Sequence, residues 1–127
     1  MILGIDLGQK TTGLAISEGQ LASPYLTIKH KSSKEMLSQI VGICDKLKIQ
    51  KVVIGFVEGK IKKFFEKFAE DLENKRPKLK VILWDETLTS RQARETMINM
   101  GIARKKRRKK EHLMSAAIIL QSYLDSQ

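Results

Sequence analysis

Three stations along the chain carry side chains suited to phosphate or metal chemistry: Asp6, the pair Asp85-Glu86, and Glu111 beside His112. Asp6 lies in an otherwise apolar run, Ile2-Leu3-Gly4-Ile5-Asp6-Leu7. A carboxylate in such company is rarely buried without a partner, so a functional role outweighs a structural hydrogen bond. Carboxylates gathered at one place repel one another unless a cation joins them. Hard oxygen donors there suit Mg²⁺ or Mn²⁺. Two such ions can clamp the attacking and leaving oxygens of a phosphodiester hydrolysis.

Each station also has a plainer reading. Glu86 could help cap a following helix, and Asp85 is as readily a turn or cap residue as a ligand. Glu111 could be an ordinary acid in a first helical turn, and His112 a surface histidine. Glu58-Gly59 reads as a turn, and His30 and Cys44 as structural residues.

The second signal is charge. Lys and Arg total 24 against 14 Asp and Glu, a formal net charge of +10. So basic a chain attracts polyanions, nucleic acid first among them. Many lysines are scattered, as a solubility charge would be. The run Arg104-Lys105-Lys106-Arg107-Arg108-Lys109-Lys110 is not, and seven adjacent cations are better explained by phosphate binding than by a solvated loop. Lys10, in the turn after the first strand, is a further phosphate contact candidate.

The elements that must position these residues follow from periodicity. Ile2–Leu7 reads as a buried strand, Gly8-Gln9-Lys10 as a turn, and Thr11–Ser17 as the second arm of a hairpin. Leu21–Lys29 is a third strand, its early part confined by Pro24 to an edge or bend. Ser33 can cap a helix over Lys34–Leu47. The all-apolar Val52-Val53-Ile54-Gly55-Phe56 within Lys51–Val57 predicts a strand buried on both faces. A helix follows over Lys60–Lys75, stopped by Pro77, and then a strand at Lys80–Trp84. Thr89-Ser90-Arg91-Gln92 opens a helix to Met100, ended by Gly101, and a last helix spans Glu111–Leu124.

The order β-β-β-α-β-α-β-α-α predicts one α/β domain over residues 1–127. Its sheet is mixed, with three antiparallel strands and then two parallel ones, flanked by helices. The three acidic stations fall at strand or helix ends around one sheet edge, where α/β sites gather. No apolar stretch is long enough for a membrane span, and the N-terminus lacks a signal-peptide pattern. With Cys44 alone, an intrachain disulfide is impossible, and a reducing cytoplasm fits best.

The segment Gly4-Ile5-Asp6-Leu7-Gly8-Gln9-Lys10-Thr11-Thr12-Gly13-Leu14-Ala15-Ile16-Ser17 closely resembles the opening of the YqgF family. These are RNase H-like proteins, described as Holliday-junction-resolvase-like and as nucleases maturing the 5′ end of pre-16S ribosomal RNA. The similarity continues through Pro24, Val52-Val53-Ile54-Gly55, Asp85-Glu86-Thr87-Leu88-Thr89-Ser90 with Ala93, and Ser115–Leu124, in order and at family spacing.

The resemblance implies an RNase H-like fold and a metal-dependent nuclease. It places the family's acidic site on Asp6, Glu86 and His112, as catalytic residues and as ligands of Mg²⁺ or Mn²⁺. The chain departs from the family at three places: Thr87 stands for the motif arginine, Phe56-Val57 for Leu-Pro, and His112 for the last Asp. A neutral imidazole still binds a divalent ion, with a shift toward Mn²⁺. RNase H-like resolvases tolerate His at this late position, and Glu111 could supply a carboxylate instead.

The implied partner is nucleic acid, structured RNA ahead of junction DNA, for a monomer or homodimer. Junction cutting would require a symmetric dimer. Two alternatives stand beside this: a nucleic-acid-binding protein of the same fold that has lost catalysis, and an ATP phosphate loop in the Asp6–Gly13 pattern. The second needs two lobes and a second such loop, which this chain lacks.

Overall fold

The structure is a computed structural model, and it describes residues 1–56, 62–86, 91–99 and 111–127. The described elements are β1 (Ile2–Asp6), β2 (Thr11–Ser17), β3 (Ala22–Lys29), α1 (Ser33–Leu47), β4 (Lys51–Phe56), α2 (Lys62–Lys75), β5 (Lys80–Asp85), α3 (Arg91–Asn99) and α4 (Glu111–Asp125). The sheet runs β3-β2-β1-β4-β5. β1 pairs antiparallel with β2 and parallel with β4, so the strand bearing Asp6 is central. β3 is an edge strand, which is where Pro24 can sit without losing a ladder bond.

Strand alternation builds two layers. Leu3, Ile5, Val52 and Ile54 turn to one face and join Met36 and Ile40 of α1 with Phe65, Phe68 and Leu72 of α2. Ala15 and Val53 turn to the other face and join Met97 of α3 and Ala116, Ala117, Ile119 and Leu120 of α4. Period two along β1 then sets Asp6 on the α4 face, in phase with Gly4 and opposite to Leu3 and Ile5.

The element boundaries refine the expectations. The cap of α1 is Ser32, not Ser33: its hydroxyl accepts from the Glu35 N–H at 3.1 Å, and Ser33 is already helical. Asp85 is the last residue of β5 rather than a turn or cap residue, held in the ladder opposite Phe56. The expected Glu58-Gly59 turn, the Thr89-Ser90 capping box, Thr87, Gly101 and the basic run Arg104–Lys110 lie outside the described residues.

Candidate active site

Asp6 ends β1 with its carboxyl 13% exposed, and His112 enters at the first turn of α4. Their side chains meet: His112 Nδ1 lies 2.8 Å from Asp6 Oδ2, across 106 residues of chain. If Asp6 is ionised, Nδ1 carries a proton, and in the neutral form of the ring the Nε2 lone pair is then left for a metal ion or a water. Glu86 follows β5 and hydrogen-bonds to Asp6. Two carboxyls that bond to each other must share a proton. Burial pushes the Glu86 carboxyl above its ordinary range; the Asp6 charge, the hydrogen bond to Asp6 and the Asp85 charge add to this, and His112 opposes it.

Asp6, Glu86 and His112 are thus brought to one edge of the sheet. Asp85 is close enough to be felt by Glu86, but along β5 it is in phase with Val81 and Leu83, which pack on the α1/α2 side. Ile82 and Trp84 pack on the α4 side. Asp85 is therefore a neighbour of the cluster with its backbone on the opposite phase of the pleat. Lys10 is exposed at the same edge, in the turn between β1 and β2. The Glu111 side chain lies outside what is described.

Glycines explain how a helix comes so near a strand. Gly13 is the register partner of Asp6. A Cβ there would collide with the His112 carbonyl and lie 2.8 Å from Leu113 N. The bare backbone of β2 is therefore the seat on which the first turn of α4 rests, and that seat delivers His112 to Asp6. A Cβ on Gly8 would come within 3.2 Å of His112 Cε1, so Gly8 backs the imidazole ring.

The turn between β1 and β2 is itself tied down. The Gly8 N–H faces Thr12 Oγ1 at 3.4 Å, and Thr12 Oγ1 lies 2.9 Å from His30 Nε2. The His30 backbone N–H donates to the Lys10 carbonyl at 3.0 Å. His30, which reads as structurally plain in the sequence, is buried and braces the turn behind Asp6 from two sides. Its Nδ1 is buried with no hydrogen-bond partner among the described residues.

Sequence reasoning missed Gly8, Gly13, Thr12 and His30 as parts of the site, although the first three sit inside its strongest motif. It also missed Arg94. This α3 residue lines, with Glu86, Ser115, Ile118 and Ile119, a small cleft of about 80 Å³ beside the carboxyl cluster.

The donor chemistry fits a divalent ion: two carboxyl groups and an imidazole converge, and a cation would offset the burial and the neighbouring acid charges that raise Glu86. In the observed side-chain arrangement the groups satisfy one another, and no cluster of three or more such residues among those described is spread around a common centre. Seating an ion therefore requires Asp6 to exchange at least one of these hydrogen bonds for a coordinate bond.

The sequence family model for RuvX, described as Holliday junction resolvase, matches residues 1–126. A Clostridium tetani protein named "Putative pre-16S rRNA nuclease" is 38% identical over 98% of this chain and 96% of its own. A Caldanaerobacter subterraneus protein of the same name is 39% identical over 99% and 96%. Among solved structures, Thermus thermophilus RuvC in complex with a Holliday junction substrate superposes with a TM-score of 0.73 at 11% identity, covering 98% of this chain and 93% of that one. The fowlpox virus Holliday junction resolvase gives 0.63 at 16%, covering 99% of each. At such low identities the structural matches establish the fold, which is that of the RuvC-type resolvases. With a matching model and relatives across nearly its whole length, this chain belongs to the RuvX (YqgF) family.

Proposed function

We propose that this protein is a divalent-metal-dependent endonuclease whose substrate is the 5′ region of precursor 16S ribosomal RNA. The observation that carries the reading is the convergence of Asp6, Glu86 and His112 at the carboxyl edge of an RNase H-like sheet. The names of the near-full-length relatives supply the substrate class.

Asp6, Glu86 and His112 would hold Mg²⁺ or Mn²⁺. Such an ion supplies Lewis acidity at the phosphate and a bound water of lowered pKa. The chain's own groups do the rest. Before an ion is bound, Asp6 holds the His112 ring through Nδ1, and the absence of a side chain on Gly8 leaves the ring its space. The exposed Lys10 sits where it can hold a flanking phosphate, and the cations of 104–110 extend that grip. Cutting one RNA strand needs one such site, so a monomer suffices. The cytoplasm, where ribosomal precursors are found, is the fitting compartment.

The test is cleavage of an end-labelled precursor RNA and of a four-way DNA junction, each with Mg²⁺ or Mn²⁺. Asp6→Asn removes a charged ligand and is expected to lower RNA cleavage about a thousandfold without loss of fold. Full activity in D6N would overturn the reading. Paired, symmetric cuts in the junction with intact RNA would replace the substrate by DNA. RNA binding without cleavage in every metal would leave a binding protein that has lost catalysis.

A further inference from the structure

The opposite edge of the sheet carries a feature the catalytic reading does not use. There the turn closing α1 and the turn joining α2 to β5 form the two walls of a groove of about 760 Å³. Its floor is apolar, with Ile49 and Leu79, both buried. Its walls carry Lys48, Arg76 and Lys78, and the acid that lines it is Asp45. Asp45 is already engaged: Arg76 Nε and Nη2 donate to its two oxygens at 2.8 and 2.6 Å, a two-pronged pair that fixes one wall to the other. The Arg76 guanidinium holds the Asp45 carboxyl below its ordinary range.

Lys48 and Lys78 are exposed and have no ion-pair partner among the described residues. Lys48 also adopts the left-handed conformation at φ 55°, a helix-end position where glycine is usual. Burial pushes the Cys44 thiol up to about 11, which makes it a packing group and not a nucleophile in the groove.

We infer that this groove is a second nucleic-acid contact, taking the sugar–phosphate backbone of structured RNA away from the cut. The inference rests on the nuclease reading for the identity of the polyanion. β4 separates the groove from the catalytic edge, and its six residues span on the order of 20 Å. A short oligonucleotide held at Asp6 does not reach Lys48 or Lys78, whereas a folded precursor does. The groove therefore favours long, structured substrates over short ones by binding and not by chemistry.

The test uses the full chain with Lys48→Glu and Lys78→Glu combined, and Lys48→Arg with Lys78→Arg as the charge-retaining control. For a precursor RNA hairpin of several tens of nucleotides, the Glu variant is expected to bind about tenfold more weakly, and the slope of log K against log salt to fall by about two. KM for that RNA rises while kcat holds, a trinucleotide substrate is cut as by the parent, and the Arg variant matches the parent. An unchanged slope and Kd in a Glu variant that folds normally overturns the inference, as does equal weakening on the short substrate. Binding of phosphatidylglycerol vesicles that depends on these lysines, with RNA binding unaffected, also overturns it and makes the groove a membrane contact. Absence of cleavage in the parent would sink the nuclease reading, while the binding comparison would still decide the groove.

Discussion

The two faces of the sheet are packed by different means. Toward α1 and α2 the strands present Leu3, Ile5, Leu14, Val52 and Ile54, and the helices answer with Met36, Ile40, Phe65, Phe68 and Leu72. Toward α4 they present Gly4, Gly13, Gly55 and Ala15, and the helix answers with Ala116 and Ala117 among larger residues. On this face a Cβ at Gly4 would lie 2.7 Å from Leu120 Cβ. Large side chains hold layers apart and tolerate small rearrangements, whereas backbone against backbone leaves no slack. The first face supplies bulk burial. The second gives up burial to fix the height and rotation of one helix, and with it the place of His112 relative to Asp6. Bulk burial and the geometry of the Asp6–His112 contact are thus assigned to opposite sides of one sheet.

That division can be broken first at Gly13. Gly13→Val drives a side chain into the His112 carbonyl and lifts the start of α4. Misplacing a catalytic group by about 1 Å costs about a hundredfold, so cleavage should fall at least that far, with stability falling too. Kinetics on the folded fraction, with folding followed by circular dichroism, separates the two. Leu72→Ala on the other face should do the reverse. It removes a fully buried side chain at about 2–5 kcal/mol, seen as a lower denaturation midpoint, with kcat below the transition unchanged. If L72A instead abolished turnover in folded protein, the two faces would not be functionally separate.

Smaller effects sharpen the same contrast. Ser32→Ala removes the cap of α1 and should cost about 1 kcal/mol with no kinetic change. His30 gives a pH signature. Burial lowers its pKa from the ordinary 6.5, and the Glu35 charge opposes this only in part. A depressed value means the unfolded chain takes up the proton first. The stability is therefore complete above pH 6.5 and declines as the pH falls from there to the folded value, then levels off. Denaturant melts at pH 7.5 and 5.5 should show that decline, and His30→Gln should flatten it. An equal decline in H30Q would assign it to other groups.

Much of this was legible in the chain itself. Period-two runs and helical stripes gave the strand and helix order, and the Val52–Phe56 run announced a strand covered on both faces. Asp6 stood out because an acid inside an apolar strand requires a partner. What stayed illegible depended on distance through space. His30 looks ordinary beside Lys29 and Lys31, and only the closing of β3 onto β2 puts its ring against Thr12. Asp85 and Glu86 are equivalent as adjacent acids, and the pleat of β5 separates them. The N-cap moved by one residue because Ser32 and Ser33 are the same chemistry, and backbone geometry alone selects between them.

The sequence by itself determined the alternation of strands and helices, the net charge of +10 and the acids available to the site, because these depend on residue type and local spacing. Only the tertiary structure decided which of those residues meet. His112 reaches Asp6 across 106 positions because Gly13, which has no side chain to hold α4 away, lies beside Asp6 in the sheet. Such a contact is set by the crossing of two distant elements, and no local pattern in the chain encodes it.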